Sequence, residues 1–134
     1  MNLQGNTILI TGGSSGIGRG MAEAFHQLGN QVIISGRRQS ALDAVTAAHP
    51  GMEAVTFDAA DPEAIRDLAQ TMRKRFPNLN VLINNAGIQS PENLRTPSED
   101  LTEMEAMVTT NLLGPIRLTQ PTTRESPARK SSPR

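Results

Sequence analysis

Apolar and polar positions along the chain alternate between two periods. Ile8-Leu9-Ile10, Val32-Ile33-Ile34, Ala54 to Phe57 and Val81-Leu82-Ile83 are short continuous apolar runs. Runs of this kind suit strands whose two faces are both covered. Between them the pattern changes to the 3.6-residue period of a helix. Ile17, Met21, Ala24, Phe25 and Leu28 form one stripe, Leu42, Val45 and Ala48 a second, and Ile65, Leu68, Ala69 and Met72 a third. Punctuation supports these bounds: Gly29-Asn30 ends the first helix, Pro50-Gly51 the second, and Pro77 follows the third. Asp61 reads as an N-cap with Pro62 at the first helical position, where a missing N–H costs nothing. A polar loop is expected over about Ile88 to Glu99. A last helix then starts near Asp100 and carries Leu101, Met104, Met107, Val108, Leu112 and Ile116. Pro115 should kink it near Asn111, since proline removes one helical hydrogen bond.

Strand and helix thus alternate four times through short connections. Right-handed crossovers turn that order into a parallel, doubly wound α/β sheet, which binds ligands beyond the carboxyl ends of its strands. The first glycine turn, Arg37, Asp58 and Asn84-Asn85-Ala86-Gly87 all fall at those ends.

Composition adds limits. The 134 residues suffice for one domain, and hydrophobic content is 37%, low for a compact α/β domain. Cys, Trp and Tyr are absent, which excludes disulfides and thiol chemistry. No secretory h-region follows Met1 and no apolar run reaches about 18 residues, so a cytoplasmic protein without membrane association is expected. Charge is unevenly placed: residues 1–120 carry 9 basic and 12 acidic side chains, net −3, and residues 121–134 carry 4 and 1, net +3. The latter segment holds three prolines and one weakly apolar residue, Ala128. It cannot bury enough surface to offset its ordering entropy and is expected to be disordered. Four charges without aromatic residues make a poor nucleic-acid ligand, so no nucleic-acid partner is expected. His26 lies off its helix stripe, His49 at a helix end, and neither pairs with acids at metal-ligand spacing, so no metal site is expected.

The chemistry concentrates in the turn from Thr11 to Gly18. A strand that enters a helix through glycines aims free N–H groups and the positive end of the helix dipole at one point, a seat for phosphate. Gly12, Gly16 and Gly18 do not have the tighter G-x-G-x-x-G spacing, and no Lys-Ser or Lys-Thr follows as in a P-loop. Thr11-Gly12-x-x-x-Gly16-x-Gly18, followed by Asn84-Asn85-Ala86-Gly87, resembles the short-chain dehydrogenase/reductase family. The resemblance covers about residues 4 to 120 and implies a Rossmann-like domain, incomplete at about four strands.

The same resemblance implies dinucleotide contacts from Gly12, Ser14, Ser15, Gly16, Ile17 and Gly18, and from Asn85, Ala86 and Gly87 along the adenosine and ribose side. It puts Asp58 on the adenine amino group, although Asp61 competes for the role. Asn111 matches the helix asparagine of the family's catalytic tetrad. Arg37 lies 19 residues past Gly18, near where such folds inspect the ribose 2′ position. A guanidinium there favours a 2′-phosphate, hence NADP(H) over NAD(H), although a solvated loop arginine is the plainer alternative. By resemblance the reaction is hydride transfer between the nicotinamide and a small carbonyl or alcohol.

The family's serine, and the tyrosine and lysine of its Tyr-x-x-x-Lys motif, have no counterparts here. No tyrosine is present, and Lys130, Ser126, Ser131 and Ser132 lack the matching context. The chain is therefore expected to be inactive by itself. The loss of pattern after Gln120 suggests a shifted reading frame or a miscalled gene end. A non-catalytic nucleotide-binding module that pairs with a full-length homologue is the alternative. An exposed fourth strand and an uncovered helix stripe also predict self-association and marginal stability.

Overall fold

The computed structural model describes residues 2–89 and 100–123. Four parallel strands form one sheet: β1 (Thr7–Thr11), β2 (Gln31–Gly36), β3 (Glu53–Thr56) and β4 (Val81–Ile83), in spatial order β3-β2-β1-β4. Helices α1 (Gly16–Gln27), α2 (Gln39–Ala48) and α3 (Pro62–Arg75) make the crossovers. The doubly wound α/β architecture expected from the sequence is therefore present.

Covered faces explain the apolar runs. Ile8 and Ile10 of β1, with Val32 and Ile34 of β2, pack against Ala22 of α1 and Leu42 and Val45 of α2. Leu9 and Ile33 point the other way, into a second cluster with Ile65, Leu68 and Met72 of α3 and Leu118. Successive residues of a strand face opposite sides, so a strand between two helical layers has no polar face.

The caps follow their chemistry. Asp61 Oδ1 accepts a hydrogen bond from Glu63 N at 2.9 Å, and Pro62 opens α3. Arg73, Lys74 and Arg75 occupy the last turn of α3, where the helix dipole favours cations. Gly29, with φ of 84°, ends α1 in a left-handed conformation that a Cβ would disfavour. At the amino ends of the strands three asparagines tie the sheet together. Asn80 Oδ1 accepts from Thr7 N at 2.9 Å, Asn80 Nδ2 donates to Asn6 Oδ1 at 2.9 Å, and Asn30 Oδ1 accepts from Asn6 N at 2.9 Å.

Some bounds differ from expectation. Strand β3 begins one residue earlier, and Phe57 leaves it to enter the α3 cluster. The last helix is divided into α4 (Thr102–Val108), a π-helical turn (Thr109–Leu113) and α5 (Gly114–Thr123), so helix extends past Gln120. Asp100 Oδ1 accepts hydrogen bonds from Thr102 Oγ1 and Thr102 N at its start, and these hold its carboxyl below the ordinary carboxylate value. Pro115, the expected kink, stands just after the π turn, where Asn111 would otherwise receive an α-helical N–H. His26 is half-buried, with its ring centroid 6.0 Å from that of His49. Most of the polar loop expected over 88–99, and the tail from 124 onward, lie outside the described residues.

Candidate functional site

At the carboxyl end of β1 the chain turns sharply across β2. Gly12 N and Gly13 N both donate to Ser35 O, at 2.8 and 3.1 Å. Gly12 has φ of 69°, a region L side chains rarely adopt. A Cβ at Gly18 would stand 2.2 Å from Gly12 O and 2.4 Å from Asn85 Nδ2, so only glycine lets α1 start this close to the turn. Ser15 precedes α1 with extended backbone and no side-chain capping bond, and no acidic side chain occupies the first turn. The dipole end is therefore open to an external anion.

The segment after β4 is strapped onto this turn. Thr11 Oγ1 accepts from Asn85 N at 3.1 Å and from Ala86 N at 3.0 Å, while Asn85 Nδ2 donates to Gly12 O at 3.2 Å. Asn84 Nδ2 reaches Thr119 Oγ1 at 3.1 Å, joining the strand end to α5. Asn111, on the π turn, makes a paired contact with the Ile88 backbone: its Oδ1 accepts from Ile88 N at 2.8 Å and its Nδ2 donates to Ile88 O at 2.7 Å.

Between these parts lies a cleft of about 310 Å³. Of the residues singled out in the sequence, Gly12, Ser14, Ser15, Arg37, Asp58, Ala86 and Gly87 line it. Gly16, Ile17, Gly18, Asn85 and Asn111 do not. Gly18 and Asn85 brace the turn at Gly12 O, Asn111 holds Ile88, and Ile17 stands 78% exposed. Asp58 Oδ1 accepts from Ala60 N at 2.9 Å, which fixes the carboxylate at the cleft edge, while Asp61 is occupied as the α3 cap. Arg37 and Arg38 are exposed at the cleft, and among the described residues neither is paired with a carboxylate.

Gly36, Arg38, Phe57, Ala59, Ala60, Ile88, Ala106 and Thr110 also line the cleft, and sequence reasoning did not select them. Arg38 was legible as the neighbour of Arg37. Ala106 and Thr110, four residues apart and away from the apolar stripe, carry only the faint signal of small side chains on one helix face.

A turn closed to side chains, an open helix dipole and two guanidiniums that have no carboxylate partner among the described residues fit an anionic nucleotide. The sequence profile of the short chain dehydrogenase family matches residues 6–132. The chain belongs to the short-chain dehydrogenase family. It is similar to the oxidoreductase DltE of Bacillus subtilis (strain 168), with 38% identity over 118 residues that cover 88% of this chain and 47% of DltE. It is also similar to serine 3-dehydrogenase of Rhizobium radiobacter, at 35% identity over 84% of this chain and 45% of that one. The solved structure of a short-chain dehydrogenase from Streptomyces avermitilis superposes with a TM-score of 0.79 and 36% identity, over 87% of this chain and 43% of that chain. The chain thus spans about half the length or less of these relatives. Family members use a nicotinamide dinucleotide and a small-molecule substrate.

Proposed function

We propose that this short-chain dehydrogenase chain is the NADP(H)-binding portion of an oxidoreductase acting on a small carbonyl or alcohol. The observation that carries the reading is the cleft itself. A glycine turn no Cβ could share, Arg37 and Arg38, which meet no carboxylate among the described residues, and the fixed carboxylate of Asp58 line one cavity. The bound dinucleotide would supply the hydride. Its phosphates would lie on the turn and the α1 amide donors, its 2′-phosphate on Arg37, and its adenine amino group on Asp58 Oδ2. Backbone contacts along Ala86 and Gly87 belong to the same reading, as does an indirect part for Asn111 through Ile88.

The 134 residues contain no tyrosine, so this chain by itself offers no phenol to carry the substrate proton. We therefore expect no turnover from it alone. The same observation favours a second reading, a non-catalytic nucleotide-binding module that pairs with a full-length homologue. A cytoplasmic setting belongs to both readings; among the described residues no helix is long and apolar enough to cross a membrane. Self-association belongs to them too, through an apolar stripe on α4 and its continuation.

Calorimetric titration with NADPH and NADH tests the proposal. NADPH should bind more tightly. Arg37→Glu should weaken NADPH by about 10–100-fold, as expected for a charge-assisted hydrogen bond of about 1.5–3 kcal/mol, and change NADH little. Equal losses for both cofactors would refute the preference for NADP(H). Carbonyl-dependent NADPH oxidation by this chain alone would refute the expectation of inactivity.

A further inference from the structure

Gly114 stands where the backbone does not ask for a glycine. It follows the π turn with φ of −56° and ψ of −58°, right-handed helical angles open to any L residue. Glycine is destabilising in a helix relative to alanine, so its presence there needs another reason. The reason is a close approach. A Cβ built at Gly114 would stand 2.7 Å from Ala59 O, 3.3 Å from Ala59 Cβ and 3.5 Å from Ala59 C. Only the missing methyl group lets this helix lie against the backbone of Ala59.

Ala59 belongs to the part of the cleft lining that carries Asp58. Phe57 N donates to Gly36 O at 2.9 Å where this segment leaves the sheet, and Asp61 N donates to Asp58 O at 3.1 Å where it enters α3. Within it Asp58 Oδ1 accepts from Ala60 N at 2.9 Å. The carboxylate is thus fixed to its own turn and moves wherever the turn moves. Ala59, buried in the cluster that includes Leu118 of α5, is where that turn meets the last helix. A second part of the lining hangs from the same piece of helix, because Asn111 holds Ile88 by two hydrogen bonds. The glycine turn from Thr11 to Gly18 is braced by Ser35 and Asn85 instead.

We infer that Gly114 is a positioning residue for base recognition: the space left by its missing side chain sets where the Asp58 carboxylate stands in the cleft. The inference rests on the assignment of Asp58 to the adenine amino group under the proposed function. A methyl group at position 114 forces Ala59 O away, and the turn that holds Asp58 moves with it. The hydrogen bond from the base to Asp58 Oδ2 then loses its length and angle, on which its strength depends steeply. The phosphate seat at the glycine turn keeps its own braces, so the loss falls on the base.

The experiment is calorimetric titration of the 134-residue chain and its variants with NADPH and with the hypoxanthine analogue of NADPH, which presents a carbonyl oxygen in place of the adenine amino group. The wild-type chain should prefer NADPH by about 10–100-fold, the worth of one hydrogen bond to a carboxylate. Gly114→Ala should reduce that preference to about twofold or less, as Asp58→Ala should, while the analogue binds within about threefold of its wild-type affinity. Far-UV circular dichroism reports that each variant is folded. A purely structural glycine gives a different result: both ligands weaken by one factor and the preference survives, which overturns the inference. A Gly114→Ala chain that binds both ligands as the wild type does overturns it too. Should Gly114→Ala not fold, the double variant Gly114→Ala/Ala59→Gly, which removes the methyl contact at 3.3 Å, carries the same comparison. If neither folds, Gly114 serves the fold alone and the inference is overturned. A wild-type chain that binds NADPH and the analogue equally also overturns it and leaves the nucleotide-binding reading standing. A folded wild-type chain that binds neither removes both.

Discussion

The Thr11 hydroxyl accepts two backbone N–H groups, those of Asn85 and Ala86, and donates to Ile83 O at 3.5 Å. Thr11→Val keeps the shape and removes the acceptor. Two part-buried donors are then left without it, at about 1–3 kcal/mol each. The expected result is a melting temperature lower by about 4–8 °C or more, read by calorimetry. Glycines in the same stretch should divide sharply. Gly18→Ala forces a methyl group against Gly12 O and should destabilise by about 1–3 kcal/mol or prevent folding. Gly20, exposed on α1 with nothing within 4 Å of its Cβ position, should gain about 0.5–1 kcal/mol from Gly20→Ala. Chemical denaturation of the pair checks both signs, and a stable Gly18→Ala would contradict the close approach.

Helices α1 and α2 are joined by a polar contact that the helix stripes did not reveal. Glu23 Oε1 stands 2.7 Å from Arg19 Nε and 3.2 Å from His49 Nε2. The hydrogen bond from Arg19, and after it that from His49, holds the Glu23 carboxyl below its ordinary value despite some opposing desolvation. A depressed carboxylate stabilises the fold above its unfolded pKa, and that contribution is lost as pH falls through the folded value. Glu23→Gln should therefore flatten the acid limb of the melting-temperature profile between about pH 3 and 5. An unchanged slope would count against the contact.

The strand bounds were legible because β1 and β2 lie between two helical layers and are apolar throughout. The caps at Asp61, Pro62 and Gly29 were legible because they are local chemistry. Pro115 announced an irregularity, but its form was not readable. The π turn depends on Asn111 meeting Ile88, and on Gly114 packing where a Cβ would be 2.7 Å from Ala59 O. Those partners are 23 and 55 residues away in sequence. Ala106 and Thr110 escaped notice for the same reason, because small side chains become cleft walls only once tertiary packing is known. Asn111→Ala should remove both bonds, cost about 1–3 kcal/mol, and speed hydrogen exchange at the Ile88 amide.

Over the whole molecule, the sheet leaves β4 at an edge, with one strand neighbour among the described residues. On the last helix Leu101, Met104, Val108, Leu112 and Ile116 are exposed, with Val108 at 46% and Leu112 at 56%. An edge strand and exposed apolar side chains each favour association. Sedimentation velocity should find species larger than the monomer, and Val108→Lys with Leu112→Glu should shift them toward it; a wild-type monomer in dilute buffer would contradict the association proposed above. The asparagine ties bear on how the chain is made. Thr7 waits for Asn80, 73 residues later, and β1 gains its second neighbour only with β4. A ribosome releases the central strand long before its flanking strand exists. Nascent chains stalled before Val81 emerges should stay open to protease along β1, and protection should begin once Ile83 has cleared the exit. The first strand to be synthesised is thus among the last to be enclosed.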